Sequence, residues 1–230
     1  KTMPKQPSSK GRLLSAVTLL ACACLFPRQA FAEVVTYPSP TGAVLSGDYT
    51  VKVGGKICPV YRALAPATNG KTPYSFAYYD YSGSALVEIT SNVQALDAVK
   101  ILPGSKNISF TKSGNSMSFT VTGSYSQLSI EPNGKNKPLL LFGSPIYVPP
   151  PSTTPGLKYY GPGLHKPAGG IISLTGGQTL YLAGGAVVQA AVDVTGANNA
   201  IRGRGILDGS PWAWAEGPTG TNRTWGGQGM

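Results

Sequence analysis

Glycine and proline divide this sequence into runs that are too short for most helices. The 230 residues include 30 glycines and 20 prolines. After residue 32, the runs between them are rich in valine, isoleucine, leucine, tyrosine and threonine and show almost no helical periodicity. Turn residues that separate short β-prone runs are typical of all-β proteins. We therefore predict an all-β fold, in which only residues 91–100 are compatible with either a strand or a loop.

The first 32 residues have the organisation of a secretory signal peptide. A basic leader without acidic residues is followed by an apolar stretch at 13–26, which is too short for an ordinary transmembrane helix. Residues 30–32 then supply the small-x-small sequence that a signal peptidase accepts. A lipid-attachment box ending at Cys22 is a poorer match. We predict cleavage after Ala32 and a secreted or periplasmic protein.

Removal of this segment changes the charge and the cysteine content. Five of the 19 basic residues precede the predicted cleavage point and all nine acidic residues follow it, so the formal net charge falls from +10 to +5. The remaining basic residues are scattered and form no nucleic-acid motif, so nucleic acid is not a predicted partner. Only Cys58 remains, and we predict that it is a buried, small apolar residue without a disulfide. No later stretch is long and apolar enough to cross a membrane.

Residues 33–148 alternate between apolar and polar side chains with a period of two. Such strands present one face to a core and the other to solvent, as in an antiparallel β-sandwich. The runs with the clearest alternation are 49–53, 75–81, 85–90, 116–121 and 127–131. Turn residues stand between several of these runs, as at 113–115 and 133–134. We predict a β-sandwich accessory domain over 33–148.

A proline-rich linker and a second pattern follow. Residues 149–157 carry consecutive prolines, which lack the N–H donor that a strand needs, and they predict an extended connector. From residue 158 onward, short apolar runs separated by glycine pairs form two successive sets of three. The runs are 170–174, 179–182 and 186–188, then 191–194, 199–202 and 205–208. Three short strands that recur after about twenty residues predict the first coils of a parallel β-helix over 158–230.

Several strings in this second zone resemble the opening of the right-handed β-helix glycoside hydrolases. They are residues 160–165, 178–188 and 201–209, with Trp212 and Trp214 after them. The resemblance is to the polygalacturonase-like, or pectin-lyase-like, superfamily. Its layout is closest to that of the dextranase and isopullulanase family, which tends to carry a β-sandwich ahead of the helix. The resemblance implies a right-handed helix and cleavage of glycosidic bonds in a polysaccharide.

The resemblance also implies where the catalytic groups should lie. Family members display their catalytic aspartates on a middle strand several coils further on, and the signatures that carry these residues are absent from this sequence. No two acidic residues are adjacent, whereas cleavage of a glycoside requires two carboxylates a fixed distance apart. We therefore predict no catalytic residue in the chain, no metal site and no cofactor. The chain is expected to be an inactive N-terminal fragment whose catalytic coils lie beyond Met230.

Aromatic side chains are the candidate sugar contacts. Trp212, Trp214 and Trp225 follow the second set of runs, and indole rings can stack on the apolar faces of sugars. Packing of this loop on the flank of the helix is the alternative for all three. Asp208 precedes a glycine and predicts an Asp-Gly turn. His165, in a glycine- and proline-rich loop, predicts a structural hydrogen bond rather than a metal ligand.

Three functions are compatible with this sequence. The first is an exported glycoside hydrolase that acts on an extracellular polysaccharide. The second is a non-catalytic carbohydrate-binding or adhesive β-helix protein. The third is a polysaccharide lyase, which shares the solenoid but breaks the chain by elimination. A fold of this class supports all three, so shape alone does not select among them.

Overall fold

Strands dominate the structure. It is a computed structural model that describes residues 1–2, 33–67, 70–212 and 218, except for the side chains of residues 64–72. Within these residues the helices are two 3-10 turns, Gly104–Lys106 and Ala168–Gly170. None of the helices in these described ranges is long and apolar enough to span a membrane. The all-β prediction is confirmed. The predicted signal segment lies outside the described residues apart from Lys1 and Thr2.

The first eleven strands form two sheets. They are β1 (Val34–Thr36), β2 (Tyr49–Val53), β3 (Lys56–Cys58), β4 (Tyr61–Ala67), β5 (Gly70–Tyr81), β6 (Ser84–Ser91), β7 (Lys100–Leu102), β8 (Phe110–Ser113), β9 (Ser116–Thr122), β10 (Ser126–Lys135) and β11 (Leu139–Pro145). Sheet I has the order β1-β5-β11-β10-β7, with β4 also paired to β5. Sheet II has the order β3-β2-β6-β9-β8. All five alternating runs fall within strands of these sheets.

One core joins the two sheets, which we call the sheet pair (residues 34–145). In sheet II, β6 alternates between exposed and buried positions along most of its length. Its inward residues pack with the inward residues of β5 and β11 from sheet I. The shared cluster includes Val51, Val53, Ala77, Tyr79, Val87, Ile89, Phe119, Ile130, Leu139 and Leu141. Period-two patterning therefore produces two sheets that bury one face each against the other.

The alternation in the sequence predicts an antiparallel sandwich, and this is wrong for one pair of strands in the sheet pair. In sheet I, β11 runs parallel to β5, from Leu139 beside Ser75 to Pro145 beside Tyr81. The other strand pairs in the two sheets are antiparallel. Five strands separate β5 from β11 along the chain, and such a long crossover allows two neighbours to run in the same direction. Local alternation carries no information about this choice.

The later strands form three small parallel sheets. They are β12 (Leu157–Tyr160), β13 (Gly163–His165), β14 (Ile171–Leu174), β15 (Thr179–Leu182), β16 (Ala186–Val188), β17 (Ala191–Val194), β18 (Ala200–Gly203) and β19 (Ile206–Leu207). The sheet orders are β12-β15-β18, β13-β16-β19 and β14-β17. Paired residues are 19 to 23 positions apart in the chain. We call residues 157–207 the coil region, each coil being three strands joined by turns.

The two predicted sets of runs correspond to β14–β16 and β17–β19. An earlier, incomplete coil was not predicted: β12 and β13 pair with β15 and β16. His165 therefore lies in a strand and not in a loop. Between β11 and β12, residues 146–156 contain no strand, whereas Leu157, the last residue of the predicted connector, begins β12.

A second buried cluster fills the coil region. Leu174, Leu180 and Val188 are fully buried within it. Their register partners on the next strands are Val194, Ile201 and Leu207. These three side chains are 41–51% exposed. The apolar columns of the coil region therefore end in an uncovered layer at β17–β19.

Candidate functional site

The outer face of sheet I lies against the coil region. Ala77, Tyr79 and Tyr81 of β5 point into the core of the sheet pair. Because strand side chains alternate, Tyr78 and Asp80 point the other way. Asp80 is nonetheless only 1% exposed, because residues of the coil region and of the segment after β1 cover it. A carboxylate on the outer face of a sheet has thus become a buried group.

Asp80 is held by two partners, one from each side of the junction. The Tyr37 hydroxyl donates a hydrogen bond of 2.8 Å to Asp80 Oδ2. Nε of Arg204, just after β18, donates to Asp80 Oδ1 at 2.7 Å and forms an ion pair with it. Burial, and then the hydrogen bond to Asp80, raise the pKa of Tyr37 well above its usual range. Tyr37 therefore stays protonated and donates at any ordinary pH.

Arg204 binds the end of sheet I as well. Its Nη2 donates to the carbonyl oxygen of Pro145 at 3.0 Å, and its guanidinium carbon lies 5.5 Å from the ring centroid of Tyr147. Tyr147 in turn stacks on Tyr181 of β15, with 6.2 Å between ring centroids. Planar guanidinium groups suit such combined ion pairing and stacking. One side chain of the coil region thus contacts β5, the end of β11 and the connector.

Two glycines of the coil region allow side chains of the sheet pair to approach the backbone closely. The backbone N–H of Gly185 donates to the hydroxyl oxygen of Tyr78 at 3.1 Å. The ring of Tyr37 covers Gly184 so closely that a Cβ there would lie 2.0 Å from the ring. Tyr37 and Tyr78 also stack on each other, with their centroids 5.5 Å apart. The junction is therefore a packed interface with its own hydrogen bonds.

An open groove of about 260 Å³ remains beside this interface. Phe76, Tyr78, Phe142 and Ser144 line it from sheet I, and the turn from Gly203 to Ile206 lines it from the coil region. We call it the junction groove. Phe142 is 40% exposed, and it belongs to the outward-facing side of β11. The junction groove thus combines exposed aromatic surface with a hydroxyl and the guanidinium of Arg204.

A second groove, of about 320 Å³, crosses the outer face of sheet II. Hydroxyl side chains dominate its lining, and some pair with each other, as Thr90 with Ser116 at 3.0 Å and Thr111 with Ser118 at 2.9 Å. Lys52, Glu88 and Lys112 add charges of both signs, and none of the described residues that line this groove is aromatic. It has the composition of a solvated sheet face.

The predicted sugar contacts are placed only in part. Trp214 and Trp225 lie outside the described residues. Trp212 is half-buried, and a Cβ built on Gly170 would come within 2.7 Å of its Cζ2, so its ring packs closely on that glycine. Trp212 does not line either groove. Sugar contact by the three tryptophans stays a prediction.

The structural roles predicted for Asp208 and His165 are confirmed. Asp208 Oδ1 accepts from the backbone N–H of Ser210 at 2.9 Å, which is the side-chain turn expected before a glycine. Its Oδ2 accepts from Gln189 Nε2 at 3.1 Å. His165 Nε2 lies 2.7 Å from the carbonyl oxygen of Gly161. Among the described residues there is no group of three or more His, Cys, Asp or Glu side chains that could hold a metal ion.

No sequence pattern predicts the junction between sheet I and the coil region directly. Strict alternation would put Arg202 and Arg204 on the same face of one strand, but β18 ends at Gly203, and among the described residues only Arg204 pairs with a carboxylate. An acid between tyrosines in an otherwise regular strand, as at Asp80, is a weak local sign of an unusual environment. Nothing local connects it with an arginine 124 positions later.

Comparison with solved structures finds a similar fold. Dex49A from Penicillium minioluteum resembles this chain with a TM-score of 0.59 and 17% sequence identity. The similarity covers 79% of this chain and 49% of Dex49A, so the chain spans about half the length of that protein. At this level of identity the similarity concerns the fold alone. No family model matches the sequence, and no curated protein matches it.

Proposed function

We propose that this chain is the sandwich and first coils of an exported glycoside hydrolase that acts on an extracellular polysaccharide. In this proposal the sheet pair is an accessory β-sandwich, the connector at 149–157 divides two domains, and the coil region opens a right-handed parallel β-helix. The observation that carries the proposal is the structural similarity to Dex49A, which extends over most of the chain. The strings at 178–188 and 201–209 add support from the sequence.

A second function, glycan binding without cleavage, is favoured by the hydrogen bonds that occupy the carboxylates of Asp80 and Asp208. Both carboxylate oxygens of Asp80 accept hydrogen bonds, and so do both oxygens of Asp208. A general acid must be free to give up a proton to the substrate, and its partner must be free to act on the opposite face of the sugar. Neither Asp80 nor Asp208 is free in this way. On the ground that these two carboxylates are occupied, we propose binding as the activity of this chain by itself.

The test is to measure binding and cleavage on the same preparation. The chain would be expressed with its leader and recovered from the periplasm or medium, where its N terminus is expected at Glu33. Its mobility would be compared in native gels with and without dextran, pullulan or polygalacturonate, beside a protein that binds no glycan. Release of reducing ends and of unsaturated products would be assayed in parallel.

We expect at least one polysaccharide to retard the chain, without release of reducing ends. Failure of every polysaccharide to retard it would contradict both functions. Unsaturated products would identify a lyase instead. Release of saturated reducing ends would support hydrolysis. It would overturn the expectation that this chain binds glycan without cleaving it.

A further inference from the structure

We propose that the junction groove binds one neutral sugar unit of the polysaccharide. The inference rests on the proposed function, because it names the place where the glycan is held and the class of sugar that fits. The groove lies between the outer face of sheet I and the turn after β18. It belongs to neither half alone and exists only when the two are docked.

The size of the junction groove suits a single ring. Its volume of about 260 Å³ lies just below the range of about 300–1,000 Å³ that is typical of pockets for drug-sized ligands. Glycines at 203 and 205 form part of its wall, so backbone borders the groove at these two positions, beside the side chains of Arg204 and Ile206. One pyranose unit of an extended chain can enter, while its neighbours continue into solvent through the open side.

Aromatic surface provides the apolar contact that a sugar ring needs. Phe142 projects from the outward-facing side of β11, and Phe76 and Tyr78 line the same groove from β5. Their strands are neighbours, with Phe142 directly beside Tyr78 in the register. A sugar that covers Phe142 would remove exposed apolar area from water. The exposed ring of Phe142 is therefore the apolar contact for the bound sugar.

Polar groups of the junction groove can satisfy the hydroxyls of the same ring. The Ser144 hydroxyl can donate or accept, and Arg204 carries five N–H bonds. Two of them are used with Asp80 and Pro145, which leaves three beyond those given to described residues. The ion pair and the stacking on Tyr147 fix the guanidinium before a ligand arrives, so little ordering is required on binding.

Charge within the junction groove favours a neutral sugar over a uronate. Arg204 is the one charged side chain among the described residues that line it. Its positive charge is already matched by Asp80, which is 1% exposed and paired at 2.7 Å. A carboxylate on the sugar would have to share Arg204 with a buried carboxylate, and two like charges close together repel. The groove therefore selects for hydroxyl-rich, uncharged units.

The test uses the full chain and defined oligosaccharides. Isothermal titration would compare neutral glucan oligosaccharides, prepared from dextran and from pullulan, with oligogalacturonate of the same length. The variants are Phe142→Ala in the groove and Tyr125→Ala as the matched control. Tyr125 is 62% exposed and does not line the groove. Thermal unfolding of both variants checks that the fold is intact, which is expected because both side chains are substantially exposed.

We expect Phe142→Ala to weaken binding of the neutral oligosaccharide about tenfold, in line with the usual contribution of one aromatic contact. Tyr125→Ala should bind as the unchanged chain does, and oligogalacturonate should bind more weakly. Equal binding by Phe142→Ala and the unchanged chain would overturn the inference and leave the proposed function standing. Tighter binding of oligogalacturonate would overturn the selection for neutral sugars. If the unchanged chain binds no glycan, the proposed function fails as well.

Discussion

Cys58 illustrates how burial decides the chemistry of a single side chain. It is 1% exposed, has no disulfide partner among the described residues and donates from Sγ to the carbonyl oxygen of Tyr78 at 3.3 Å. Loss of hydration raises the pKa of the Cys58 thiol from 9.0 to about 12. The prediction of a buried, apolar cysteine is therefore confirmed. Two properties that control thiol reactivity, access and thiolate content, are both unfavourable here.

We predict that Cys58 resists thiol reagents in the native protein. At pH 8 the pKa shift alone lowers the thiolate fraction about a thousandfold relative to an ordinary thiol, and burial slows the reaction further. The measurement is the rate of labelling by a disulfide reagent in buffer and in concentrated guanidinium chloride. Labelling of Cys58 should become rapid once the protein is denatured. Fast labelling of the folded chain would show that Cys58 is not enclosed as described.

At the scale of elements, the chain turns a corner between β18 and β19 where only glycine fits. Gly203 has φ = +124°, and a Cβ there would lie 1.9 Å from the carbonyl oxygen of Leu182. That same oxygen accepts hydrogen bonds from the backbone N–H groups of Arg204 and Gly205 at 2.8 and 2.9 Å. The corner is therefore built on a close approach of one backbone to the next, which a side chain would prevent.

We predict that Gly203→Ala destabilises the chain by about 3 kcal/mol, through backbone strain and forced separation of the two coils. Gly209→Ala is the matched control, because no atom of a described residue other than its chain neighbours lies within 4 Å of a Cβ at that position. Urea unfolding of both variants measures the difference. Equal stabilities for the two variants would mean that the corner can relax around a methyl group.

Elements are also where the sequence is most and least informative. The runs at 49–53 and 116–121 lie within β2 and β9 because alternation reflects a local property, one buried face per strand. The strands β12 and β13 escaped prediction because prolines and glycines surround them. The parallel pairing of β5 with β11 escaped it for another reason: a strand pattern records which face is buried, not which neighbour lies beside it.

At the scale of the whole molecule, the junction depends on the pair formed by Asp80 and Arg204. The sequence could not reveal this pair, because the partners are 124 residues apart and no local pattern connects them. Removal of one partner of a buried ion pair leaves an uncompensated charge and costs more than the pair itself contributes. Asp80 would keep only its hydrogen bond from Tyr37.

We predict that Arg204→Ala lowers the free energy of unfolding by about 3 kcal/mol, the lower end of the range for such pairs because Arg204 is partly exposed. Arg202→Ala is the matched control, since Arg202 lies two residues earlier and is exposed. Its effect should stay within about 0.5 kcal/mol. Chemical denaturation measures both, and hydrogen exchange should show faster exchange at 179–207 in Arg204→Ala alone. Similar losses for the two arginines would contradict the importance of the pair.

The distances along the chain between partners at the junction have a consequence for the order of folding. The hydrogen bonds that join the two halves connect residues 59, 107 and 124 positions apart. The two longest of these separations exceed the 64 positions between the paired residues of β5 and β11 in the sheet pair. Closing a longer loop costs more entropy before the contact is gained, so these two contacts form late. The strands of the sheet pair are complete by Pro145, so this half can fold first. The outer face of sheet I is then a preformed surface on which the coil region can fold. Folding would therefore proceed from the N-terminal half to the C-terminal half, in the order of synthesis.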